Sequence, residues 1–318
     1  MKPVLVLAAA LVLAPAPAPA LFAQRAVPSG GEWLIEPGDA AGQVRLTLRV
    51  GERHHDSWNE EDQVPASELQ GLTAADLGGA GATVHFKIVR DAGTLTCEGW
   101  FDAGRGSGHF TYAANPNFVS ELAKRGIGAP SAWQQFSMTM TDVGLALADE
   151  LKRQGYDRPT AEDLTRMGTH GADLEYLRAI GERGYHLRDP EALIRMRDHG
   201  VDPEFMASLD SAGYKDLDAE ELVRLRDHGV DGDYIEEMKE VGYAPSDPEE
   251  LVESRDHGVD PEYVRSLKDA GYDHLSLTEL RRARDHGVTK GFIRRVADRG
   301  YGKPPLDEVI RLRDRGLD

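Results

Sequence analysis

Leu225-Arg226-Asp227-His228-Gly229-Val230 decides the fold, because it recurs. Met196-Arg197-Asp198-His199-Gly200-Val201 stands 29 residues earlier, and Arg255-Asp256-His257-Gly258-Val259 and Arg284-Asp285-His286-Gly287-Val288 follow at the same spacing. A second marker, Gly followed by Tyr, keeps this period at Gly155, Gly184, Gly213, Gly242, Gly271 and Gly300. A fixed period of this size predicts an array of structural repeats, each burying its apolar face against its neighbours.

Each period reads as two short helices. In one, Asp202 is the N-cap, Pro203 suits the first helical position, Glu204 meets the positive end of the helix dipole, and Gly213 closes the helix. The other starts at Asp189-Pro190-Glu191 and stops at Gly200 by the same rules. Helices of about ten residues are marginal alone in water, so they must pack on each other. The packing slots emerge when periods are stacked. An aromatic slot holds Tyr176, Phe205, Tyr234, Tyr263 and Phe292, with Leu177, Met206, Ile235, Val264 and Ile293 beside it. One turn later come Ile180, Leu209, Met238, Leu267 and Val296, and the second helix contributes Leu164, Leu193, Leu222, Leu251, Leu280 and Val309. In the first helix type these spacings place an apolar face on the helix.

The triplet ahead of each glycine invites two readings. One His per repeat could form a ladder for metal binding or pH sensing. The structural reading is preferred: His199, His228, His257 and His286 sit in a last turn with free carbonyls, and Gly200, Gly229, Gly258 and Gly287 close it. Gly184, Gly213, Gly242 and Gly271 close the other helix. Asp227 in that last turn opposes the dipole and needs a partner. Arg224, three residues back, shares its face; Arg195 with Asp198 and Arg282 with Asp285 repeat the spacing. Glu253 breaks this pattern before Asp256, so an arginine from an adjoining repeat is expected there.

The array is expected to span residues 115–318. Asn115-Pro116-Asn117-Phe118-Val119 aligns with Asp202-Pro203-Glu204-Phe205-Met206, so the first half-repeat starts with no linker. Residues 127–150 are degenerate: Thr141-Asp142 replaces His-Gly, and Leu147 replaces the aromatic. At the other end Asp318 occupies an N-cap position, which leaves half a unit with an apolar edge through which copies could self-associate.

Residues 31–114 read as a small antiparallel β domain. Glu32–Ile35, Val44–Val50, Thr83–Ile88, Thr94–Phe101 and His109–Tyr112 are strands, several alternating apolar and polar as a half-buried strand does. Closely spaced strands predict a meander. Val64 to Ala82 suggests a short helix or turn. Gly104 to Gly108 lacks the Lys-Ser/Thr ending of a phosphate-binding loop and precedes a strand, so it is a hairpin turn. His54 and His55 with Glu60, Glu61 and Asp62 are the metal candidates, since imidazole and carboxylate bind divalent ions. Their spacing matches no ligand pattern, and a solvated loop is preferred; no metal, cofactor or catalytic residue is assigned. Cys97, flanked by Thr96 and Glu98 in a strand, reads as an inert packing residue.

Lys2, an apolar run from Val4 to Ala14 and the small residues up to Ala23 predict a cleaved secretory signal over residues 1–23, hence a periplasmic or secreted protein. The apolar run is shorter than the roughly 20 residues that span a bilayer, and no later stretch is long enough. A net charge of −18 argues against nucleic acid. Residues 281–318 hold 11 Lys/Arg against 6 Asp/Glu, which leaves −23 on the remainder.

Arg-Asp-His-Gly-Val-x-Pro-Glu-Tyr/Phe followed by Ala-Gly-Tyr resembles helical repeats found at the ends of bacterial membrane metallopeptidases of the beta-lactam-sensor type, and in uncharacterised exported bacterial proteins. The resemblance covers about residues 115–318, and Val64 to Phe118 looks like the front domain of those exported proteins. The peptidase is absent: there is no His-Glu-x-x-His. The resemblance implies a non-catalytic sensing or partner-binding module. The expectation is an α+β protein, with a small antiparallel β domain followed by an α-solenoid-like array of helical hairpins, that engages a protein partner.

Overall fold

The structure, a computed structural model, describes residues 27–51, 58–73, 75–76, 79 and 81–317. It is α+β, with a curled antiparallel sheet followed by a helical array. The signal segment, His54, His55 and Asp318 lie outside the described residues.

The sheet comprises β1 (Gly30–Pro37), β2 (Gln43–Val50), β3 (Trp58–Pro65), β4 (Leu69–Gln70), β5 (Ala82–Val89), β6 (Gly93–Asp102) and β7 (Arg105–Ala114). Its order is β3-β2-β1-β7-β6-β5-β4. Two meanders therefore meet at β1 and β7, which are far apart in sequence, a pairing that local turn signals do not encode. β3 occupies a stretch read from sequence as a loop: its polar run hides an alternation in which Trp58 and Val64 face the core. β4 likewise lies in the segment read as a helix or turn, after a 3-10 turn at Ala66–Glu68.

One face of the sheet is apolar, with Trp33, Ile35, Leu46, Leu48, Phe86, Ile88, Leu95, Phe101 and Phe110 buried. Trp33 lies so close to β6 and β7 that a Cβ at Gly99 would stand 2.6 Å from its ring and one at Gly108 2.8 Å from its Nε1. The indole N–H donates to the carbonyls of Glu98 and His109 at 3.1 and 3.2 Å. These strand glycines provide room for a large side chain. Cys97 is buried in this core, and burial pushes its thiol up to about 12, so the thiolate nucleophile is suppressed.

The array begins at α1 (Pro116–Lys124), α2 (Ala132–Met140), α3 (Leu145–Arg153) and α4 (Ala161–Thr169). It continues through α5 (Leu174–Glu182), α6 (Pro190–Asp198), α7 (Pro203–Ser211), α8 (Ala219–Asp227) and α9 (Gly232–Glu240). α10 (Glu249–Asp256), α11 (Pro261–Asp269), α12 (Leu277–Asp285), α13 (Lys290–Val296) and α14 (Leu306–Asp314) complete it. Odd-numbered helices stack on one another in one layer, and even-numbered helices form the second. The repeat helices that end at a left-handed glycine close as Schellman motifs. In α6, Gly200 takes φ +70°, its N–H donates to the Arg197 carbonyl, and the Val201 N–H donates to the Met196 carbonyl. Val201, Val230, Val259 and Val288 are then fully buried between the layers.

The two cores meet at α2. Phe136 and Met140 enter the sheet's core, where Phe136 packs edge-on to Tyr112 and Trp58. Met138 enters the array's core, which runs unbroken from Phe118 to Leu312.

Candidate functional site

The repeat histidines form a ladder, but not the one expected. The Nδ1 atoms of His170, His199, His228, His257 and His286 lie 2.6–2.8 Å from Oδ1 of Asp198, Asp227, Asp256, Asp285 and Asp314. Each imidazole therefore binds a carboxylate of the next repeat rather than a carbonyl of its own helix. The arginines that the dipole argument assigned to these aspartates go elsewhere. Arg195, Arg224 and Arg282 reach forward to Glu220, Glu249 and Asp307, as Arg166 does to Glu191. Glu253, which breaks that pattern, receives Arg281 at 2.9 Å, while Asp256 is served by His228.

A third ladder uses the arginine of the Arg-Asp-His triplet and, in the last repeat, Arg313 of Arg313-Asp314-Arg315. Arg197, Arg226, Arg255, Arg284 and Arg313 lie 4.7–5.1 Å over the rings of Tyr176, Phe205, Tyr234, Tyr263 and Phe292. Where that ring is tyrosine, its hydroxyl donates to the next Val carbonyl, as Tyr234 does to Val259 at 2.9 Å. Burial pushes the Tyr234 and Tyr263 hydroxyls up to about 12. Three side chains of one motif thus each bridge adjacent repeats. Sequence reading found the period but missed the ladders, because each partner lies roughly one period away rather than one helical turn away.

The metal candidates do not assemble within the described residues. The register pairs Glu60 with Leu48, Glu61 with Thr47 and Asp62 with Leu46, so Glu60 and Asp62 share the core-side face and Glu61 the other, where Arg45 meets it at 3.6 Å. Charges directed inward on an edge strand discourage pairing with a further strand. Among the described residues, no group of three or more His, Cys, Asp or Glu is placed to hold a metal ion.

The residues sequence reading missed altogether lie where sheet and array join. Arg90, at the end of β5, is 8% exposed, and its Nη1 donates to the carbonyls of Thr139 and Met140 at 2.8 and 2.6 Å. It thereby caps the C-terminus of α2. Its Nε stands 3.3 Å from Asp142. Asp142 holds the place of the repeat glycine and adopts its left-handed conformation, φ +55°. Asp91 next door accepts from the Leu145 N–H at 2.8 Å, capping α3, whose own N-cap is the side-chain-free Gly144. Gln135 donates to the carbonyls of Ala92 and Asn115. One β-turn therefore supplies the caps that the degenerate repeat lacks. Departure of Thr141-Asp142 from His-Gly was the sequence signal for it.

Carboxyls gather around Arg90. Burial, then Asp62, pushes Glu60 above the usual carboxylate range. Burial, then Asp142, does the same to Glu68, and burial raises Asp142 although Arg90 opposes it. Beside them a cleft of about 440 Å³ opens between the Ser67–Gln70 turn, the β5 end and helices α3 and α5.

At the far end of the array, Leu306, Val309, Ile310 and Leu312 of α14 are buried. The exposed large side chain there is Tyr301. No helix among the described residues is long and apolar enough to cross a membrane.

The fold and its surfaces define a class: a curled antiparallel sheet joined directly to a two-layer helical solenoid. No family model, curated protein or solved structure matches the chain.

Proposed function

We propose that the protein is an exported, non-catalytic binding module that presents its helical array to a protein partner. One observation carries this reading, the contrast between the two layers' outer faces. On the even-numbered layer, the acidic residues of the ladders are consumed by neighbouring repeats. On the odd-numbered layer, Glu175, Glu204, Asp233, Glu237 and Glu262 are exposed and make no ion pair among the described residues. Charges paired along the array serve its cohesion, whereas unpaired charges on a long rigid surface act on whatever approaches it. Such charges set partner choice and association rate more than affinity. Extended repeat surfaces suit protein partners, and the resemblance to exported repeat proteins points the same way.

The test is a pull-down from the native envelope fraction with the wild-type chain and with a variant carrying Glu204→Lys, Asp233→Lys and Glu237→Lys. The reading expects a specific partner that the variant loses. Recovery of nothing specific by the wild type, or of the same proteins by both, refutes it.

A further inference from the structure

The odd-numbered face does not end at α5. The cleft between sheet and array meets a second one running along α5 past Glu175, Arg178 and Glu182, and both are lined by Leu174. Together they make one groove. Its floor carries Val89, half exposed though fully aliphatic, with Leu174 and Ala146. Its walls carry Glu68, Asp91, Asp142, Asp173, Glu175 and Glu182. Against these stand two cations, both engaged: Arg90 with Asp142 at 3.3 Å, and Arg178 with Glu150 at 3.9 Å. Asp91 and Asp173 hold backbone N–H groups. Glu68, Glu175 and Glu182 are in no ion pair among the described residues.

We propose that this groove docks an extended basic segment of the protein partner, its Lys or Arg side chains between Glu68 on the sheet wall and Glu175 and Glu182 on the helical wall. An aliphatic side chain of the segment covers Val89 and Leu174. The proposal rests on the partner-binding reading above and names the place and chemistry of contact. Charge complementarity selects a cation, and the apolar floor selects a peptide over a metal ion or a simple polyamine. Burial, then Asp142, raises the Glu68 carboxyl although Arg90 opposes it, and a docked ammonium or guanidinium would favour its charged form.

Fluorescence anisotropy with a labelled Arg-Val-Arg-Val-Arg peptide and the whole chain provides the test, with Glu-Val-Glu-Val-Glu as the control. Glu68→Lys combined with Glu175→Lys should weaken binding roughly tenfold or more, and Val89→Ser should weaken it several-fold. Glu32→Lys with Glu98→Lys, at exposed positions on strands β1 and β6 outside both the groove and the odd-numbered helical face, should change it less than about twofold. Circular dichroism shows that each variant is folded. If the strand variant loses as much as the groove variant, or if Val89→Ser binds as the wild type does, attraction is diffuse and the proposal fails. A partner captured from the envelope that binds wild-type and groove variants equally also overturns the groove while leaving the broader reading intact. Peptide binding lost only in the groove variants supports the groove even if the envelope yields no partner.

Discussion

His228 Nδ1 lies 2.6 Å from Asp256 Oδ1, and 28 positions separate the two residues. The repeat period is one residue longer. That offset turns a local motif into an axial one, since Asp precedes His within each triplet and each His therefore meets the Asp of the following repeat. The triplet writes three bonds between repeats: Arg onto the preceding aromatic ring, Asp to the preceding His, His to the following Asp.

Breaking one rung should loosen one inter-repeat interface. Both partners are partly exposed, so His228→Ala or Asp256→Ala should each destabilise by about 0.5–1 kcal/mol, with a coupling of about 0.5 kcal/mol in the double-mutant cycle. Urea denaturation of the four proteins measures it. Additive losses, with no coupling, would show that the short contact adds nothing to cohesion.

The motif's glycines make a second prediction. Gly213 has φ +97°, a region in which a side chain is strained, while a Cβ added there would meet nothing within 4 Å, so that no clash confuses the outcome. Gly213→Ala should therefore cost about 1 kcal/mol from backbone alone. A midpoint equal to that of the wild type in chemical denaturation would show that the loop relaxes out of the left-handed conformation.

The difference between what was legible and what was not follows from range. Asp202, Pro203 and Gly213 act within one helix, and their caps form as read: the Phe205 N–H donates to Asp202 at 2.7 Å. The buried aromatic slot was legible because period and polarity agree at Tyr176 and Phe205. Arg224 was assigned to Asp227 by its position on the same helix, yet its partner is Glu249 of the next repeat. Glu60 and Asp62 defeated the strand reading because the alternation there sets inward carboxylates against outward ones. Arg90 was invisible as a cap, because its carbonyl partners lie 49 and 50 residues away.

The crowded carboxyls predict an inverted pH response at the junction. Glu60 and Glu68 are held above their ordinary range, chiefly by burial. The folded chain therefore binds these protons more tightly than the unfolded chain does. Their contribution is fully favourable below the unfolded value of about 4.5 and is lost as pH rises through the higher folded values. Glu60→Gln with Glu68→Gln should raise the melting temperature by about 2 °C at pH 7 and by less at pH 5. A variant less stable than wild type at pH 7 would mean that these carboxylates are net favourable partners of Arg90.

Arg90 itself should be the most sensitive position at the junction. Its Nη1 serves the carbonyls of Thr139 and Met140, which the turn of chain after α2 leaves without intrahelical donors. Arg90→Met keeps much of the buried stem but strands two acceptors at the negative end of a helix, a loss of about 2–4 kcal/mol. Arg90→Lys retains the charge but not the planar fork, and should fall between. The ion pair with Asp142 is a weaker candidate cause, since Asp142 is half exposed and burial already raises its carboxyl. Asp142→Asn should then cost less than about 0.5 kcal/mol. If Asp142→Asn costs as much as Arg90→Met in urea denaturation, the ion pair and not the capping holds the joint. Near-UV circular dichroism adds a local readout, because Trp133 on α2 packs 6.3 Å from Trp58 on β3. Arg90→Met should dim that aromatic signal by shifting α2 in the sheet's core, whereas Asp142→Asn should leave it intact.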